Sequence, residues 1–157
     1  MKIRVFLFTV LFLLLTALLP ACAAETPPTP EALPAPGVLY AQIAEHAALP
    51  AMVTLTADEL YDVIGIDPAW YSNSAAYFAA DGTAPDEILI FLAVDEAAAE
   101  SLVGVLGTRL QYKRDSAAQY LTENQPMLEG GVVRRDGLTV SLLVTRDMDA
   151  VEGCYPE

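Results

Sequence analysis

Imidazole chemistry in this chain can come only from His46, the single histidine among 157 residues. It stands beside Glu45 with no nucleophile motif around it, so the sequence gives it a structural place on a helix surface. No G-x-S-x-G, H-E-x-x-H or Gly-rich phosphate loop occurs. Carboxylates are abundant, with twenty-one Asp and Glu. Paired acids can hydrolyse a glycosidic bond, and Asp86-Glu87, Asp58-Glu59 and Asp147-Met148-Asp149 each offer neighbours. At this acid content such pairs arise by chance, and Asp58-Glu59 already has a use at a helix start. The Asp147 and Asp149 pair lacks the further ligands and the glycine of a calcium loop. Two cysteines and one histidine cannot build a cysteine-rich zinc site. The expectation is no catalytic residue, no metal and no cofactor.

Two groupings point to contact rather than catalysis. Arg109, Lys113, Arg114, Arg134 and Arg135 concentrate positive charge in an otherwise acidic chain. Helix electrostatics accounts for part of this, because Asp95, Glu96 and Glu100 precede Arg109, Lys113 and Arg114 in the order a helix dipole favours. The sharper expectation is a docking patch for an anionic ligand or partner. Trp70 and Tyr71, with Tyr77 and Phe78, form an aromatic group suited to core packing or to stacking on a sugar or a partner. Cys154 has no obvious intramolecular partner and reads as a free thiol near the C-terminus.

What positions these residues begins with an export signal. Lys2 and Arg4 precede an uncharged run from Val5 to Leu19, too short to span a bilayer and right for a signal h-region. The run ends in Leu19-Pro20-Ala21-Cys22, which resembles a bacterial lipobox. That motif implies acylation of Cys22 and removal of residues 1–21. The remaining chain holds six basic residues against twenty-one acidic ones, a net charge of −15. So negative a body argues against nucleic acid as a partner and is repelled by anionic lipid. Two acyl chains nevertheless hold a protein stably at about 0.8 kcal/mol per buried methylene. Residues 22–36 carry prolines at 27, 28, 30, 34 and 36. An extended polyproline spacer of this length reaches about 40 Å, several screening lengths from the headgroups.

Residues 37–157 read as a single domain. Its hydrophobic share, 54% over the whole chain, is too high for a disordered polypeptide. Periodicity predicts a first helix from Val38 that stops before Leu49-Pro50. Thr56-Ala57-Asp58-Glu59 is a capping box opening a second helix that ends at Gly65, and Asp67-Pro68 starts a short turn. Strands are expected at residues 75–80 and 87–94, the second apolar on both faces and so central. Asp95 caps a long helix reaching about Leu121, with Leu102, Leu106, Leu110, Ala117 and Leu121 on one stripe. A hairpin follows, its strands at 132–135 and 138–145 joined through Asp136-Gly137 as a type I′ turn, the second strand half-buried. Residues 147–152 add a last helical turn. The expected class is α+β: an antiparallel sheet of about four strands packed against one long helix plus two shorter N-terminal helices.

The succession LPAMVTLTADELYDVIGIDP (Leu49 to Pro68), then PDEILIF (Pro85 to Phe91), RLQYKRDSAAQY (Arg109 to Tyr120) and the D-G hairpin resembles the bacterial lipoprotein domain called domain of unknown function 4358. The likeness spans about Val38 to Val151. It implies a surface lipoprotein of α+β fold and transfers no catalytic residue. The function expected is a membrane-anchored extracytoplasmic bacterial lipoprotein, a non-enzymatic binding or interaction module with an envelope protein as candidate partner. The alternatives are a cell-envelope hydrolase using paired carboxylates, and a structural or regulatory accessory of an envelope complex.

Overall fold

Tertiary structure is described here from a computed structural model covering residues 32–120 and 122–156, all within the compact unit Glu31–Glu157. The expected leader, Cys22, the spacer as far as residue 31, and Leu121 of the helical stripe lie outside the described residues. Helix α1, Pro36–His46, opens with proline in its first turn, where no amide donor is missed, and buries Leu39 and Ile43. The helix therefore starts on the last proline assigned to the spacer. Strand β1, Met52–Thr54, follows.

At Thr56 the capping box forms as expected: its hydroxyl accepts from the Glu59 amide while Glu59 accepts from the Thr56 amide at 2.8 Å. That bond holds the Glu59 carboxyl below its ordinary range. Helix α2, Ala57–Glu59, then widens into a π-helix, Leu60–Ile64. Gly65 ends it in the left-handed region at φ 83°, which a side chain would strain. A 3-10 turn, Pro68–Trp70, leads into β2, Tyr71–Ala79, and β3, Glu87–Ala93. The long helix α3 is Glu96–Tyr120, with Asp95 Oδ1 accepting from the Ala98 amide at 2.8 Å. A 3-10 turn, Thr122–Asn124, and α4, Gln125–Gly130, precede β4, Val132–Asp136, β5, Thr139–Val144, and α5, Met148–Glu152.

The five strands form one antiparallel sheet in the order β1-β2-β3-β5-β4. Two elements add to the expected sheet of about four strands, long helix and two shorter N-terminal helices: β1 pairs at the edge with Tyr77–Ala79, and α4 stands between α3 and β4. The β2 strand also starts four residues earlier than expected. The hairpin turn is shifted by one. Asp136 pairs with Thr139, so Gly137 and Leu138 form the loop, and among the described residues no non-glycine has positive φ. One left-handed residue in first place is the type II′ arrangement rather than I′.

Strand alternation divides the core. Leu89, Phe91, Val140, Leu142 and Val144 face α3, meeting Leu102, Leu106, Leu110 and Ala117. Ile88, Ile90 and Leu143 face the other way, against Leu39 and Ile43 of α1 and Val151 and Tyr155 at the C-terminal end. Coverage on both sides explains why β5 is buried throughout instead of half-buried: Ser141, on the face away from α3, takes a hydrogen bond from the Tyr155 hydroxyl at 2.9 Å. Among the described residues no helix is long and apolar enough to cross a membrane.

Candidate functional site

Glu87 opens the central strand on the side that alternation assigns to α3, where its neighbours two and four residues on are Leu89 and Phe91. It is 0% exposed. A carboxylate there needs partners, because a lone buried charge costs several kcal/mol. Helix α3 supplies two, one turn apart. Arg109 Nε donates to Glu87 Oε1, and Lys113 Nζ donates to Oε2 at 2.6 Å and to the Pro85 carbonyl at 2.8 Å. Burial pushes the Lys113 ammonium below its ordinary value, and Glu87 pulls it part of the way back. The Arg109 guanidinium also lies over the Phe78 ring, 5.0 Å from its centroid.

Beside this knot opens a cavity of about 280 Å³, lined among others by Phe78, Asp86, Arg109, Tyr112, Lys113 and Asn124. Asn124 is held by its Nδ2, which donates to the Thr83 carbonyl at 2.9 Å. Asp86 differs from every other acid near it. It is only 6% exposed, yet among the described residues no hydrogen bond or ion pair reaches its carboxylate. Its oxygens open on the cavity, since among the described residues the one buried side-chain oxygen without a partner is Thr145 Oγ1, and its charge reaches Lys113 through space. Tyr112 stands 71% exposed at the rim. On its other side a second groove, about 460 Å³, runs between α3 and the π-helix and shares Arg109 and Tyr112 with the cavity. Val63 of the π-helix lines it at 64% exposure. π-helical turns are rare and concentrate at functional sites.

The five cations expected to form one patch are separated. Arg109 and Lys113 are engaged by Glu87. Arg114 donates to the carbonyls of Leu128 and Gly131 at 2.8 Å and of Glu129 at 3.1 Å, closing the C-terminal end of α4. Arg134 and Arg135 are consecutive in β4 and leave it on opposite faces. Arg134 pairs with Asp136 at 2.6 Å and stacks over Tyr155, while Arg135 pairs with Glu96 at the start of α3.

The aromatic group is divided too. Tyr71 packs edge-on against Phe91, and Trp70 lies half-buried against the same core. Tyr77 stacks on Tyr40 across the other face. Neither Trp70 nor Tyr71 lines the cavity. His46 Nδ1 lies 2.8 Å from the Gln42 carbonyl of its own helix. Cys154 Sγ donates to the Ala150 carbonyl at 3.4 Å, and burial pushes its thiol up, away from the reactive thiolate. Asp147 ties the chain together by accepting from the Ala48 amide at 2.9 Å.

Sequence reasoning passed over Asp86 and Glu87 as a chance pair. The signal that could have found them was parity: Glu87 falls on the inward register of an otherwise apolar strand, opposite Arg109 and Lys113, which continue the buried stripe of α3. What the parts define is a five-stranded antiparallel α+β domain with a neutralised charge cluster beneath a small open cavity. The chain belongs to the family described as Domain of unknown function (DUF4358), whose model matches residues 45–145. That match takes in β1 to β5 and every residue of the cavity. No curated protein and no solved structure gives a match.

Proposed function

We propose that this chain is a membrane-anchored extracytoplasmic bacterial lipoprotein whose domain is a non-enzymatic binding module, with the Asp86 cavity as its binding site. One observation carries the reading: the Asp86 carboxylate opens on the cavity with no hydrogen bond from the described residues, beside two cations that are paired with Glu87. For catalysis by paired carboxylates the neighbouring acid would have to be free, and both Glu87 oxygens are occupied. The lipobox-like Leu19-Pro20-Ala21-Cys22 and the proline-rich stretch behind it support tethering at the outer face of the cytoplasmic membrane.

In-cell photo-cross-linking tests both parts together. A cross-linking residue in place of exposed Tyr112 should capture an envelope component, and one in place of Glu152, on the opposite face, should not. Cys22→Ser should shift the protein out of the membrane fraction and remove the acyl mass. Equal capture from both positions contradicts the assigned site, and an unchanged fraction and mass contradict the anchor.

A further inference from the structure

We infer that the Asp86 cavity takes a neutral sugar ring, an inference that rests on the binding-module reading and names its ligand class. Formal charge decides the first point. Asp86, Arg109 and Lys113 line the cavity and Glu87 lies behind the two cations, so the four charges together sum to zero. An anion would meet Asp86 and two cations whose charge Glu87 already offsets, and a cation would meet Arg109 and Lys113 at close quarters. A neutral ligand leaves the balance intact. It must also donate hydrogen bonds, because the vacant function is an acceptor: a carboxylate can take several donors.

The remaining groups match hydroxyls of both kinds. Lys113 has three donors and spends them on Glu87 and Pro85 only. Arg109 spends its Nε on Glu87 and keeps its terminal nitrogens. Asn124 uses its amide nitrogen on Thr83 and keeps its oxygen. Acceptor and donors side by side suit the alternating polar edge of a polyol, and an aromatic ring at the rim suits its apolar face. Tyr112 supplies that ring. At about 280 Å³ the cavity is at the small end of ligand sites, room for one ring rather than a chain buried along its length.

Saturation-transfer NMR on the full chain in lipid nanodiscs tests this, with N-acetylglucosamine, glucose, glucosamine and glucuronate as probes at about 50 mM, enough to fill a millimolar site. The two neutral sugars should take up saturation. Glucuronate and glucosamine should bind about tenfold more weakly or not at all. Asp86→Ala and, independently, the exposed Tyr112→Ala should each weaken the neutral sugars by about tenfold, the scale set by one charge-assisted hydrogen bond or one stacked ring. Uptake by none of the four, or preference for a charged sugar, overturns the inference. If no sugar binds while Tyr112 still cross-links to an envelope protein, the ligand class is wrong and the binding module stands.

Discussion

Replacing Glu87 by glutamine removes one negative charge and almost no volume, and the structure sets the scale of the loss. Arg109 and Lys113 both donate to that carboxylate, and their side chains are 18% and 20% exposed. Breaking a buried ion pair costs about 3–5 kcal/mol because the partner is left uncompensated. Partial exposure of both cations, and the oxygen that glutamine retains, place this variant at the low end, about 3 kcal/mol. For a domain of this size that is about 12 °C in melting temperature. Urea unfolding followed by circular dichroism at neutral pH gives the number directly. The pH dependence adds a signature. The Lys113 ammonium titrates below its ordinary 10.5 in the folded state, so in the window below 10.5 the unfolded chain holds more protons and stability rises with pH. Removing Glu87 removes what pulls that value up, so the window widens downward and the variant's deficit shrinks as pH rises. Glu87→Leu combined with Arg109→Leu and Lys113→Met should recover most of the loss, since apolar replacement of a whole buried cluster is often neutral or stabilising. A Glu87→Gln deficit below about 1 kcal/mol would refute the reasoning: both cations would then be adequately hydrated without it.

Glycines give opposite outcomes by position. A Cβ at Gly104 or Gly107 of α3 meets nothing within 4 Å, so alanine at either should raise the unfolding free energy by about 0.5–1 kcal/mol. At Gly131 it would lie 2.9 Å from Val144 Cγ2 and 3.1 Å from Leu110 Cδ1, and alanine there should cost about 1–3 kcal/mol. Alkaline unfolding should report Tyr155, whose hydroxyl is pushed up to about 12, mainly by burial. A raised folded value means its contribution is complete below pH 10 and is lost as pH climbs towards 12, about 3 kcal/mol in all. Tyr155→Phe should abolish that alkaline loss, and at neutral pH it should cost about 1–3 kcal/mol by stranding the buried Ser141 hydroxyl.

The parts of the fold legible in the sequence were those with a local physical cause. The Thr56 capping box, the Asp95 cap, the apolar stripe of α3 and the two-sided apolar run of β3 each follow from a few adjacent residues. β1 was not legible, because three residues after Pro50 carry no measurable period and the strand exists by pairing with Tyr77–Ala79. The first half of β2 begins Tyr-Ser-Asn-Ser, polar enough to read as loop until β3 is placed beside it. α4 is six residues long, with a proline near its start and a glycine at its end, and Arg114 of another helix completes it. The half-buried reading of β5 failed because Tyr155, fourteen residues away from Ser141, covers the polar face. The five basic residues, close in sequence, are spread in the fold: Arg109 and Lys113 share Glu87, Arg114 takes carbonyls at the end of α4, Arg134 pairs with Asp136 and Arg135 with Glu96. The Asp86 cavity is built from residues between Phe78 and Leu128 and exists only in three dimensions.

The central claim is that Asp86 is held for a ligand rather than for the fold, and the unfolding free energy of Asp86→Asn tests it most directly. An amide of the same shape breaks no hydrogen bond that the described residues make to Asp86, so the variant should stay within about 1 kcal/mol of the parent. A loss of more than about 2 kcal/mol would mean that the carboxylate has a structural partner, and the cavity would lose its claim to be a binding site.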